Sequence, residues 1–173
     1  MKLKKFFIVF IIFFATQNYL SANAVHYLDF KSILNESNAG KKAQETLKKK
    51  LDQGIKNIDA KTKKILDEEK KIIEQKKIIS SEEYKKKVTA LRKDVEELKN
   101  ERAKLLKGIA VKRSKARKDL LKVLNPILKK YMLDNKIQMV IDKKNVLLAD
   151  DTLNLTNNIM QLLNKNLKTI NIE

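Results

Sequence analysis

The residues with the clearest chemical potential are basic and lie close together in the second half of the chain. Residues 111–118 read Val-Lys-Arg-Ser-Lys-Ala-Arg-Lys, and Lys112, Arg113 and Lys115 are candidate contacts for cargo or an anionic surface. Side chains of this type bind phosphates and carboxylates. At about 100° per residue, however, the five charges point all around a helix. The pattern therefore favours a solvated basic surface over a specific anion pocket.

A second basic cluster consists of Lys85, Lys86 and Lys87. It follows a predicted turn and would lie at the tip of a helical hairpin. It could contact cargo or an anionic lipid or glycolipid surface, or it could simply keep the protein soluble. The sequence leaves both interpretations open.

Residues suited to catalysis or to metal binding are few. The chain has no Cys and one His, which excludes thiolate sites and multi-histidine metal sites. No Gly-rich phosphate loop or Ser-His-Asp set is present. His26 is interpreted as a structural or surface residue, and Asp150-Asp151 as turn residues. The sequence therefore predicts no enzyme, no cofactor and no metal.

Composition indicates long helices and an anionic partner. The chain has 173 residues, of which 35% are charged, with a net charge of +18 and only 3 Gly and 1 Pro. Turn-rich sandwiches and barrels need more Gly and Pro. Residues 41–79 hold 13 Lys/Arg and 7 Asp/Glu, and residues 85–122 hold 15 and 5. Nearly all of the excess positive charge therefore lies in the middle of the chain.

The first 24 residues have the layout of a secretory signal peptide. Lys2, Lys4 and Lys5 precede an apolar run over residues 6–15, and Ala22-Asn23-Ala24 fits a small-x-small cleavage site. Cleavage after Ala24 predicts an exported protein, periplasmic in a Gram-negative cell. An uncleaved membrane anchor is the alternative, but the run is shorter than the roughly 20 residues that span a bilayer.

Two heptad patterns predict an antiparallel helical hairpin over residues 41–122, called the arm, with a turn near residues 80–83. Steps of three and four residues are typical of coiled coils. Ser80 or Ser81 is a candidate N-cap for the second helix. Folding the chain there pairs the principal residues of the predicted seam: Ile79 with Tyr84, Ile72 with Leu91, Ile65 with Leu98, and Ile58 with Leu105.

In the predicted seam this principal row alternates with a second row of positions. On the first helix this row contains Ile55, Thr62, Glu69 and Lys76, and on the second it contains Val88, Val95, Arg102, Ile109 and Ala116. Lys112 continues the principal row. The polar members weaken packing and predict an arm that forms but flexes.

The two ends of the chain, residues 25–40 and 123–173, predict a small β-rich oligomerisation body. A strand over 25–30 would pair with a hairpin over 139–149, a bend would fall at Asn125-Pro126, and Thr156 would cap a last helix. A core this small supplies only about 3–5 kcal/mol, which favours self-association over a monomer.

The mature chain resembles the Skp (OmpH-like) family of periplasmic chaperones over its whole length. The amino-terminal match comprises residues 25–29, Ile33-Leu34, Ser37, Gly40-Lys41, Ala43 and Leu47. The carboxy-terminal match comprises residues 139–142, Val146-Leu147, residues 154–156 and Leu163-Asn164. The chain has Lys136 where the family usually has Gly, so we expect Asn135 to take the left-handed cap conformation.

The resemblance implies an α+β fold, predominantly α by residue count, with a trimerisation body and long helical arms around a cavity. It implies an ATP-independent holdase that binds unfolded outer-membrane proteins and prevents their aggregation during delivery to the outer membrane. A structural or adaptor coiled coil of the cell envelope is the alternative. A nucleic-acid binder is disfavoured, because the leader removes the chain from nucleic acid and no aromatic residues interleave the basic stretch 99–122.

Overall fold

The computed structural model describes residues 24–172, so the predicted leader lies outside the described residues except for Ala24. The fold is α+β and predominantly helical, which confirms the predicted class. Its main elements are strand β1 (His26–Leu28), helices α1 (Phe30–Glu36), α2 (Asn38–Gln75) and α3 (Ser81–Asp134), strand β2 (Val140–Asp142) and helix α4 (Thr156–Asn166). No helix between residues 24 and 172 combines the length and apolar character needed to cross a bilayer.

Helices α2 and α3 form an antiparallel hairpin that turns at residues 76–80. Ser80 caps α3 with a complete capping box: its Oγ accepts from the Glu83 N–H at 3.2 Å, and the Glu83 carboxylate accepts from the Ser80 N–H at 3.3 Å. Glu82 and Glu83 also place negative charge at the positive end of the helix dipole. The N-cap predicted from the sequence is confirmed.

Helix α3 does not restart at Asn125-Pro126, one of the two outcomes that we predicted there, while the other, a bend, stays a prediction. It continues through Pro126 to Asp134. Pro cannot donate a hydrogen bond to the carbonyl of Lys122, but both Lys122 and Pro126 are exposed, so water can satisfy that carbonyl. Leu120 and Leu124 before the proline and Ile127 after it all pack in the same core. This packing holds the helix together across the proline.

The end of α3 corrects a second prediction. Lys136, not Asn135, takes the left-handed conformation, with φ 55°. The Ile137 N–H donates to the Met132 carbonyl at 2.8 Å, and the Lys136 N–H donates to the Leu133 carbonyl at 3.2 Å. This is the Schellman pattern, and it fixes the left-handed residue at the position after the cap, whatever its type.

The body contains a parallel pair of strands and no hairpin over 139–149. β1 pairs with β2 in the register His26–Val140, and on its other edge Tyr27 bridges Asn154. The predicted return strand is wrong because Asp142 accepts from the Lys144 N–H and starts a 3₁₀ turn over Lys143–Asn145. The predicted strand over 25–30 is also shorter, because Phe30 already belongs to α1.

Thr156 begins the last helix but does not cap it, contrary to prediction. Its Oγ1 accepts from the Asp29 N–H at 2.9 Å and so ties the end of β1 to the start of α4. The Thr156 N–H is instead satisfied by the Asn154 side chain at 3.0 Å. Tyr27 joins the same region, since its hydroxyl donates to Asp151 at 3.5 Å. Burial, followed by the Asp151 carboxylate, raises the pKa of Tyr27.

Two apolar clusters hold the body and the base of the arm. The first contains Leu28, Ile33, Leu120, Leu124, Leu155, Ile159 and Leu163. The second contains Ala43, Leu47, Ile109, Ala116 and Ile172, so the carboxy-terminal segment packs into the base of the arm. Ile170 packs against both clusters and links them.

Gly40 and Gly108 form a natural test pair, because both are helical but differ in their surroundings. A Cβ on Gly40 would collide with the Leu34 carbonyl oxygen and lie 2.9 Å from the Ser37 Oγ, whereas a Cβ on Gly108 meets nothing within 4 Å. We expect Gly40→Ala to lower the free energy of unfolding by about 2–3 kcal/mol through overpacking. Gly108→Ala should raise it by about 0.5–1 kcal/mol through backbone entropy. Urea unfolding measures both, and equal effects would contradict the proposed close approach of α1 to α2.

Candidate functional site

The arm is held together by one row of apolar residues, the principal row of the predicted seam. Ile72 is buried, and Ile58, Ile65, Leu91, Leu98 and Leu105 are half-buried along the same line. Ile79 and Tyr84 are half-buried at the tip. The Gly54 site abuts the Leu105 side chain. Together these residues form a narrow contact between α2 and α3.

Polar contacts close one flank of this row. Lys61 on α2 forms an ion pair with Glu101 on α3, and the Lys87 Nζ donates to the Gln75 Oε1 at 2.7 Å. These two links agree, within one residue, with the register expected from pairing Ile65 with Leu98. Charged residues fill the rest of this flank: Lys64, Glu68, Asp94 and Glu97.

The opposite flank is open. In the second row Ile55, Thr62, Glu69, Lys76, Val95 and Arg102 are all exposed. Val88 is half-buried near the tip, and Ile109 and Ala116 are buried at the base of the arm. The helices therefore meet through the principal row and leave most of the second row facing outward.

Exposed apolar residues line this open flank and form what we call the apolar strip: Ile55, Leu66 and Ile73 on α2, with Val95 and Leu106 on α3. Each is between 43% and 61% exposed. Spacings of 7 and 11 residues place the members on each helix within about 20° of one another. Because the helices are antiparallel and both sets are rotated the same way from the principal row, both face the same side of the arm. The strip therefore runs along much of the arm.

The predicted basic contacts fall into two sets about 37 Å apart along α3, at 1.5 Å per residue. At the tip, Lys85 and Lys86 are exposed, whereas Lys87 is half-buried and bound to Gln75. At the base, Lys112 is half-buried, and its Nζ donates to the Ile172 carbonyl at 3.0 Å. Lys112 thus anchors the carboxy-terminal segment, while Arg113 and Lys115 remain on the surface.

Sequence reasoning missed the strip members Leu66, Ile73 and Leu106 and the docking of Ile172. The strip had a usable signal, since each of the three follows a principal-row residue by one position. The docking of Ile172 had no signal in the sequence, because an apolar residue in an extended tail shows no periodicity.

The remaining polar candidates have structural roles. The His26 Nδ1 lies 3.0 Å from the Ala24 carbonyl oxygen. Asp150 accepts from the hydroxyl and the N–H of Thr152, and these bonds hold its pKa below the ordinary value. Among residues 24–172, no group of three or more His, Cys, Asp or Glu side chains is arranged to hold a metal ion.

The described residues thus form a small α+β body that carries a long helical hairpin. The crystal structure of a candidate OmpH-like outer membrane chaperone from Caulobacter crescentus CB15 has the same fold, with a TM-score of 0.78 at 18% identity over 85% of this chain and 87% of that chain. The family model described as outer membrane protein (OmpH-like) matches residues 24–163. The chain belongs to this family, which confirms the resemblance read from the sequence. A search of curated proteins finds no match.

The structure predicts that principal-row and strip leucines differ in their contribution to the arm. Leu91→Asp with Leu98→Asp places two carboxylates in the half-buried row, and we expect a loss of about 1–2 kcal/mol per site. Circular dichroism should show reduced helicity, and hydrogen exchange should be faster over residues 55–105 while the body stays protected. The matched control is Leu66→Asp with Leu106→Asp, which should keep its helicity. Equal helicity in the two variants would contradict the packing described above.

Proposed function

We propose that the chain is an ATP-independent holdase of the periplasm, exported by its leader and cleaved after Ala24. It binds unfolded outer-membrane proteins between its arms and prevents their aggregation on the way to the outer membrane. Membership of the OmpH-like family and the shared fold of the Caulobacter chaperone support this proposal. The observation that carries it is the apolar strip, which is an exposed and unpartnered surface on an otherwise highly charged arm.

The strip suits the chemistry of such clients. A strand of an outer-membrane barrel alternates apolar and polar residues, so an extended client presents one apolar edge. That edge can lie on the strip while the polar edge meets water and the surrounding charges. A single contact of this kind is weak. Once a client is held at one point on the arm, however, its neighbouring segments have a raised effective concentration at the other points. The surface can therefore hold many sequences without a fixed binding motif.

Positive charge supports capture of clients. The excess Lys and Arg lie on the arm rather than on the body, and the tip residues Lys85 and Lys86 are exposed. A field of one sign accelerates association with oppositely charged partners and weakens as salt rises. The same residues are candidate contacts for an anionic lipid or glycolipid surface.

The body provides the surface for self-association, and we propose a homotrimer, as the family resemblance implies. β1 has neighbours on both edges, so β2 forms the open edge of the described sheet. In the segments that flank β2 in the sequence, Leu147 and Leu148 are 105% and 94% exposed, and Met139 is exposed as well. An open strand edge beside large apolar side chains is usually covered by another chain.

The proposed activity is tested by diluting a denatured outer-membrane barrel protein into buffer with and without residues 25–173. We expect turbidity to be suppressed at a fixed stoichiometry, without ATP. Val95→Ser with Leu106→Ser should weaken suppression at least threefold, because the variant removes two apolar steps of the strip. Light scattering against chaperone concentration measures the effect.

Ile78→Ser with Val111→Ser is the matched control, since both residues are exposed on the arm but lie off the strip. This variant should suppress turbidity like the unchanged protein. Equal loss in both variants would remove the strip as the client surface. No suppression by the unchanged protein would favour the adaptor coiled coil instead.

The assembly is tested by Leu147→Asp with Leu148→Asp. We expect the molar mass from light scattering at micromolar concentration to fall from three chains to one, because the carboxylates cannot be buried against another copy. Helicity should be unchanged, since neither side chain packs within its own chain. Leu133→Asp offers a comparison at an exposed apolar site on α3. A monomeric unchanged protein would contradict the proposal outright.

A further inference from the structure

A cleft of about 420 Å³ lies at the base of the arm, where α2, α3 and the carboxy-terminal segment meet. This volume falls within the roughly 300–1,000 Å³ range of small-ligand sites. Its floor is apolar, and its floor residues are Leu34, Ala43, Leu47, Ala116, Leu120 and Ile170. Arg113 and Arg117 stand at its edge. The cleft therefore combines a buried apolar surface with two guanidinium groups.

The two guanidinium groups are available to a ligand. Arg113 and Arg117 are one helical turn apart on the same face of α3 and are both exposed. Neither forms an ion pair or a hydrogen bond with any residue from 24 to 172. The two amide side chains of the cleft contact each other, since the Gln44 Nε2 donates to the Asn35 Oδ1 at 2.7 Å. Both charged residues that line the cleft are cationic.

This arrangement selects for a particular chemistry. A planar guanidinium binds a carboxylate through two parallel hydrogen bonds, and two of them can bracket one carboxylate. The apolar floor just below accepts a hydrocarbon or aromatic group attached close to that carboxylate. An internal Asp or Glu of a peptide fits less well, because its carboxylate and the nearest apolar side chain belong to different residues. The last residue of a polypeptide fits, since it joins a carboxylate directly to a side chain.

The cleft is continuous with the apolar strip. Leu106 precedes Arg113 by seven residues and Arg117 by eleven, so all three lie within about 40° on the same side of α3. The distance from Leu106 to Arg113 is about 10 Å along the helix, which three extended residues span. A chain whose terminus occupies the cleft would therefore meet the strip within a few residues.

We propose that this cleft binds the carboxy-terminal residue of a client when that residue is apolar, with Arg113 and Arg117 holding the carboxylate and the floor holding the side chain. The client would then lie along the arm with a fixed polarity, its end at the base and earlier residues toward the tip. This inference rests on the proposed holdase function and adds a specific anchor to an otherwise non-specific surface.

The experiment compares two fluorescent peptides of the same alternating sequence ending in Phe, one with a free carboxylate and one with a terminal amide. Fluorescence anisotropy with residues 25–173 should give at least tenfold tighter binding of the acid. Arg113→Gln with Arg117→Gln should reduce this ratio to near one. Equal binding of acid and amide by the unchanged protein would overturn the proposal, whatever the variants do.

Arg92→Gln with Arg102→Gln is the matched control, because it removes the same charge from exposed positions of α3 outside the cleft. It should keep the preference for the acid. Loss of the preference in both double variants would assign it to the general field of the arm and contradict a built site. Decanoate serves as a competitor in the same assay, beside the unlabelled peptide acid. If decanoate displaces the fluorescent peptide at a lower concentration than the unlabelled peptide acid does, the cleft would be reassigned to fatty acids.

The outcome is separable from that of the holdase test. Suppression of turbidity without discrimination between acid and amide would refute the anchor and keep the proposed function. Discrimination without suppression would keep the carboxylate site and refute the holdase function.

Discussion

The offset packing of α2 against α3 is the constraint on which the arm depends. Two helices that met squarely through both rows of a heptad seam would cover their apolar residues. Here the principal row forms the contact, and the links Lys61–Glu101 and Lys87–Gln75 draw the helices together on one flank. The second row is thereby turned outward on the other flank. Because the helices are antiparallel, both outward rows face the same side, so one rotation exposes the apolar strip.

Packing density changes along the arm, and with it the expected stiffness. At the base, Ala43, Leu47, Ile109, Ala116 and Ile172 form a buried cluster. Farther out most principal-row residues are only half-buried, and of the described arm residues beyond Leu47 on α2 only Ile72 is buried. Regions with few buried contacts open and bend at low free-energy cost. The arm is thus anchored rigidly where it joins the body and is adaptable where clients of many sequences would lie.

Sequence reasoning succeeded where structure is local and failed where it depends on distant partners. The turn at Ser80 and the helix register follow from capping chemistry and periodicity within a few dozen residues. The hairpin over 139–149 was wrong because the partner of β2 is β1, at the far end of the chain, and Asp142 redirects the backbone. The restart predicted at Pro126 was wrong because core packing on both sides of the proline keeps the helix continuous. The left-handed cap predicted at Asn135 was wrong because the Schellman turn places the positive φ at Lys136. The cleft at Arg113 was invisible for the same reason: its floor combines residues of α3 with residues of α1, α2 and the carboxy-terminal segment.

The pairing of His26 with Val140 joins two segments that lie far apart in the sequence. β1 lies near the start of the described residues, whereas its partners β2 and Asn154 lie near their end. The contacts within the helical hairpin are local by comparison, and local contacts form quickly. Closing it brings the two distant parts of the body together and shortens the effective loop that β1 and β2 must close. A hairpin that closes first would therefore lower the entropy cost of pairing β1 with β2 at the opposite end of the molecule.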